Sequence, residues 1–351
     1  MSGFIPRLVA GALALVATSC ASPDPVPMIA TGTAKPHLTG DAYVAVDGAH
    51  LPLRSWLPDG PVKAVILAVH GIDDYSHAFA MPAKVWAQDG IATFAYDQRG
   101  FGAAPDRGRW VGTYQLDADV AGVSRLLRAR YPHVPLYLLG ESMGGAVVIT
   151  AATGWAGAER PDADGIILVA PAVWGEQTMN VFYRATLWVA DHVAPRWKLS
   201  GSGLHILPSD NIPMLRAFSR DPLVIKETRV DTIKGLVQLM SEALAAAPLL
   251  KQHTLLLYGG HDQLVPQTPV RDFVDTLPRS SAGRRTVAWY DHGYHMLLRD
   301  LEGPTVAQDV ASWVFRPDAP LPSGADIRGA AELLPKPATL SAHLGAEARA
   351  N

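Results

Sequence analysis

The sequence predicts an α/β fold: a mostly parallel central sheet with helices on both faces and an inserted helical segment. Three observations carry this. Short, uniformly apolar runs alternate with helical patterns over residues 63–170 and again over 254–315. Strands that are apolar throughout belong to parallel sheets covered on both sides. The alternation stops at Pro171, and residues 172–250 hold helical patterns, tryptophans and loops but no clear strand, so they read as an insertion. Finally, residues 135–152 read as strand, sharp turn and helix around Gly140-Glu141-Ser142-Met143-Gly144.

The chain has 351 residues, of which 48% are hydrophobic, enough for one large buried core. A net charge of −3 gives no basis for a nucleic-acid partner. Residues 1–20 have one early positive charge, Arg7, then a small-residue apolar stretch ending Thr18-Ser19-Cys20. That is signal-peptide anatomy, too short to span a bilayer as an ordinary helix. Cleavage before Cys20, the single cysteine, resembles lipoprotein processing, with a lipid anchor on that residue at the bacterial envelope. Residues 21–40, rich in Pro, Thr, Ala and Gly, read as a tether, and 41–316 as the folded domain.

Within the domain, apolar runs on either side of Asp47-Gly48 predict an edge hairpin, with Pro52 suited to an edge strand. Strands are expected at 63–70, 91–96, 135–139, 165–170, 254–258 and 285–290. Helices are expected at 80–89, 115–131, 267–277 and 303–315. In the second of these, Leu116, Val120, Val123, Leu127 and Tyr131 share one face, with acids early and arginines late as the helix dipole favours. Residues 317–351, rich in Pro and Ala, read as a loosely ordered tail.

Gly140-Glu141-Ser142-Met143-Gly144 fits G-x-S-x-G, in which a strained turn presents a serine at a helix N-terminus. A serine hydroxyl needs a base, usually a histidine oriented by a carboxylate. In such sheets the acid and then the histidine follow later strands. Asp262, just past the 254–258 strand, fits as the acid, with an Asx-turn residue as the alternative. His295, past the 285–290 strand, fits as the base, with His292 the competitor. The developing oxyanion needs N–H donors. Met143, after the serine, and Ile72, in the loop after the 63–69 strand, are the candidates, with Asp73 a weaker alternative to Ile72 and His70 holding the loop. No H-E-x-x-H, cysteine cluster or full dinucleotide fingerprint is present, so neither metal nor cofactor is expected.

His70-Gly71, Tyr96-Asp97-Gln98-Arg99-Gly100-Phe101-Gly102, Gly140-Glu141-Ser142-Met143-Gly144-Gly145, Gly259-Gly260-His261-Asp262 and Gly293-Tyr294-His295-Met296 run in that order. Together they resemble the monoacylglycerol lipase/lysophospholipase branch of the α/β-hydrolases, the serine aminopeptidase S33 type. The resemblance implies a Ser142-His295-Asp262 triad, a turn shaped by Asp97 and Arg99, and a cap over about 172–250. It implies hydrolysis of a lipid ester, a monoacylglycerol or lysophospholipid, with a short-chain esterase, an acyltransferase or a non-catalytic lipoprotein as alternatives. Trp174, Phe182, Leu187, Met214 and Leu239 are the candidates for an acyl pocket. Asp73 and Asp74 depart from the branch's pattern. A carboxylate beside a developing anion is unfavourable, so both should point away.

Overall fold

The computed structural model describes residues 34–201, 203, 206–278 and 285–334; Cys20 and the whole 1–20 segment lie outside them. The described strands are β1 (His37–Leu38), β2 (Ala42–Val44), β3 (His50–Trp56), β4 (Ala64–Val69), β5 (Ile91–Tyr96), β6 (Leu136–Glu141), β7 (Gly165–Val169), β8 (Lys198–Leu199), β9 (Thr228–Arg229), β10 (His253–Gly259) and β11 (Arg285–Tyr290). The helices are α1 (Ala80–Gln88), α2 (Thr113–Arg130), α3 (Met143–Thr153), α4 (Val181–Val193), α5 (Ile212–Arg220), α6 (Val230–Ala246), α7 (Gln267–Thr276), α8 (Gly303–Phe315) and α9 (Ala325–Glu332).

The main sheet runs β1-β2-β3-β5-β4-β6-β7-β10-β11. The pairings β1/β2, β2/β3 and β3/β5 are antiparallel, and those from β5 onward are parallel. Strands β4, β5, β6 and β7 are buried along their whole length, as continuous apolar runs require. One face carries a core shared with α2, α3, α6 and α7, and the other a core shared with α1 and α8. On the second face Trp86 Nε1 donates to Ala307 O at 2.9 Å and Tyr137 hydroxyl to Val314 O at 2.7 Å, satisfying buried polar tips. Chain order reverses around β4, which lies between β5 and β6, and the loops beyond the C-terminal ends there form the crevice where open α/β sheets bind ligands.

The structure departs from the sequence reading in four places. The hairpin is extended by β1, so His37–Leu38 of the supposed tether joins the sheet, across a turn fastened by Thr39 and Asp41. The insertion contains a two-stranded ribbon, β8 with β9. Its last helix, α6, is not a cap element in packing terms: Leu239 is fully buried with Ala243 and Ala246 in the core that α6 shares with α3. Lastly, the tail assigned from residue 317 includes α9, packed along β11. A Cβ on Gly329 would collide with the Val287 carbonyl, and Arg328 Nε donates to Trp289 O at 3.2 Å.

Candidate active site

Four loops meet at the C-terminal edge of the sheet. Ser142 sits between β6 and α3 with φ 54° and ψ −120°, a left-handed backbone for a residue that bears a Cβ. The turn is this sharp because Gly140 and Gly144 are in near contact; a Cβ on Gly140 would overlap the Gly144 carbonyl. Ser142 N donates to Val169 O at 2.9 Å, fixing the turn to the neighbouring strand end.

Ser142 Oγ lies 2.9 Å from His295 Nε2, and His295 Nδ1 lies 2.8 Å from Asp262 Oδ2. The carboxylate only accepts, so Nδ1 carries the proton and Nε2 is free to accept from the serine hydroxyl. Asp262 serves two purposes at once. Oδ1 accepts from Leu264 N at 2.8 Å and Val265 N at 3.0 Å, closing an Asx turn, and this holds Oδ2 toward the histidine. The alternatives offered by the sequence therefore coexist. His292 is exposed, with its ring 6.1 Å from that of His261, and is not the histidine at Ser142. Burial opposes a charged His295, but the adjacent Asp262 carboxylate, aided by Glu141, outweighs it and holds the imidazole pKa above its ordinary value.

The loop after β4 lies against the elbow. A Cβ on Gly71 would stand 3.2 Å from Ser142 Cβ, and Ile72 comes next, half-buried. Met143 occupies the first position of α3, where the N–H has no intrahelical acceptor. His70 is fully buried; Nδ1 donates to Gly71 O at 2.7 Å while Nε2 accepts from Gln98 N at 3.0 Å. It holds the loop as a neutral ring, and burial lowers its pKa. Asp97 accepts from Ser76 N at 3.1 Å and Ala103 N at 2.9 Å, and Arg99 is paired with Asp47 and Asp119, so the bonds of both residues brace turns.

A buried ion network behind the serine escapes the sequence. Arg299 Nη1 is 2.8 Å from Asp74 Oδ2, and Nη2 is 3.2 Å from Glu141 Oε2. It joins the histidine segment, the loop after β4 and the elbow. Asp300 accepts from Ser209 Oγ at 2.6 Å and from Tyr294 N at 2.6 Å, tying that segment to the insertion. The available signal was Glu141 itself, a carboxylate in an apolar strand-turn-helix, which is buried only with a partner or a proton.

Of the candidate acyl-pocket residues, Trp174 and Leu187 are half-buried against the core, Leu239 is enclosed within it, and Phe182 is 76% exposed on α4. The structure thus removes Leu239 and Phe182 from a common wall, because the helical period identifies an apolar face without saying what covers it. Met214, on α5, lines a cavity of about 290 Å³ with Met81 and Phe218, bordered by Asp74 and Arg299.

A family profile described as serine aminopeptidase, S33, matches residues 60–302. The chain is 30% identical to a monoglyceride lipase of Mus musculus, over 80% of this chain and 89% of that protein. It is 28% identical to a phospholipase of Bacillus subtilis, over 62% of this chain and 82% of the other. Its fold matches the crystal structure of a soluble variant of a Saccharomyces cerevisiae monoglyceride lipase in complex with a substrate analogue, with a TM-score of 0.65 and 21% identity, covering 83% and 98% of the two chains.

Proposed function

The chain belongs to the serine aminopeptidase S33 family and is a carboxylic ester hydrolase of the α/β-hydrolase fold; from that premise we propose that it cleaves lipid esters bearing one long acyl chain, monoacylglycerols ahead of lysophospholipids, through Ser142, His295 and Asp262. The observation that carries the reading is the continuous relay of 2.9 Å and 2.8 Å from Ser142 Oγ through His295 to Asp262. In this reading His295 takes the hydroxyl proton as Oγ attacks the ester carbonyl, then returns it to the leaving alcohol. The N–H groups of Met143 and Ile72 receive the oxyanion. Water, activated by the same histidine, releases the fatty acid. An insertion carrying exposed Phe182, Tyr183, Trp188 and Trp197 suits an apolar substrate.

The experiment compares a long-chain monoacylglycerol, the matching lysophospholipid and p-nitrophenyl butyrate as substrates. The expected order of kcat/KM places the monoacylglycerol first. A preference for the butyrate ester would replace the lipase reading with a short-chain esterase.

The pH profile follows from His295. The base must be neutral, and its pKa lies above the ordinary 6.5, so kcat/KM rises with pH through a midpoint above 6.5. Asp262→Asn removes the charge that raises it. The midpoint of that variant is expected to move down while the plateau falls. An unmoved midpoint would show that the acid limb belongs to another group.

A further inference from the structure

We infer that Asp73 is a positioning residue: it locks the oxyanion loop to the strap of the insertion between α5 and α6, so that the Ile72 N–H is held in place by the cap. The inference rests on the reading of Ser142 as nucleophile and Ile72 as an oxyanion donor.

Asp73 has φ 63°, a left-handed conformation that Asp visits more readily than most residues but that persists at one site only when contacts hold it. The enforcing contacts are visible. Ile225 N donates to the Asp73 carbonyl at 2.9 Å, and Thr228 Oγ1 donates to Asp73 Oδ2 at 2.5 Å. Two residues further on, the Tyr75 hydroxyl donates to Asp221 Oδ2 at 2.6 Å. From the other side, Arg107 donates to Pro222 O at 2.8 Å and Leu223 O at 3.0 Å. The strap 221–228 is therefore fastened at both ends to loops that follow β4 and β5.

Ile72 lies between two fixed points. On one side Gly71 packs against Ser142; on the other Asp73 is clamped to the strap. The plane shared with Asp73 carries the Ile72 carbonyl, so turning Asp73 out of its left-handed conformation would tilt that plane and, through the Ile72 Cα, shift the N–H on its other side. The same clamp explains the apparent conflict of an acid in an oxyanion loop. Oδ2 of the Asp73 carboxylate is bonded to Thr228 in the strap, and Asp74 is paired with Arg299. Burial, eased by the Thr228 bond and reinforced by Asp74, pushes Asp73 up to about 6.

The test is Thr228→Val, which keeps shape and removes the donor, beside Thr228→Ser, which keeps the hydroxyl. Active sites are titrated with a fluorophosphonate, and kcat per titrated site is measured on p-nitrophenyl butyrate and on a long-chain monoacylglycerol. Complete loss of an oxyanion donor lowers kcat by about 10²–10³. A displaced donor should lose less: Thr228→Val is expected to lower kcat per site about tenfold on both esters with KM within about twofold, and Thr228→Ser to stay within about twofold of wild type. If Thr228→Val does not fold, Asp73→Gly, which accepts the same φ without a carboxylate, should show the same loss, and Asp73→Asn, which still accepts a hydrogen bond and tolerates φ 63°, should retain most of the rate. A rate per titrated site that is unchanged in Thr228→Val and Asp73→Gly would overturn the inference, as would a loss confined to the long-chain ester, which would place the strap in the acyl pocket instead. Failure of the underlying reading looks different: wild type itself would neither titrate nor turn over either ester.

Discussion

Ser142→Ala is expected to lower kcat on either ester by about 10⁴- to 10⁶-fold with little change in KM, because in the proposed mechanism the hydroxyl forms the bond to the acyl carbon and contributes little to ground-state binding. His295→Ala should cost nearly as much. The double variant should be no worse than either single one, since serine and histidine act as a unit and the residual rate comes from the oxyanion donors and binding. Steady-state kinetics on p-nitrophenyl butyrate measure all three. Multiplicative losses would mean that the 2.9 Å contact between Oγ and Nε2 is not a functional coupling. The backbone supplies an independent readout. Ser142 holds φ 54° at a conformational cost, so Ser142→Gly should be as inactive as Ser142→Ala yet more stable than it by about 1 kcal/mol. Two equally inactive variants would then differ in stability, as a strained backbone at position 142 predicts.

The second large effect is on stability. Arg299→Met is expected to destabilise the protein by about 3–5 kcal/mol at neutral pH, because it strands two buried carboxylates, Asp74 and Glu141. Burial already raises the Glu141 pKa, and loss of the guanidinium raises it further. A folded-state pKa above the unfolded value of 4.5 means that protonation favours the folded form. The deficit should therefore be smallest in acid, open as the wild-type Glu141 loses its proton, at a pH above the ordinary 4.5, and widen as pH rises. Urea unfolding of both proteins at pH 5 and pH 8 tests this. A deficit under about 1 kcal/mol at pH 8 would show that the pair is solvated or replaceable.

Arg299 also marks the limit of what could be read in the chain. The strands were legible because uniformly apolar runs bounded by turns leave few alternatives, and the elbow because Gly140 and Gly144 are required at a close approach. Asp262 and His295 were legible from their positions after strands. Local pattern does not encode partners 158 residues apart, so the link from Arg299 to Glu141 was invisible. The same gap moved Leu239 from a supposed pocket into the core: the stripe on α6 is clear in the sequence, but that it faces α3 is a tertiary fact. Likewise β1 has two residues and α9 eight, too few for a period to register.

The short helix α9 has a bearing on how the chain survives in solution. β11 is the last strand of the sheet, and its outward carbonyls are a template for a strand of another molecule. Val287 and Trp289 are two residues apart and present their carbonyls to the same side. Gly329 lies against the first, and Arg328 donates to the second. A chain cut at residue 316, where the apolar pattern of the sequence ends, would keep every residue of the relay and yet bare this edge. Its failing would be self-association through strand pairing rather than a damaged catalytic centre.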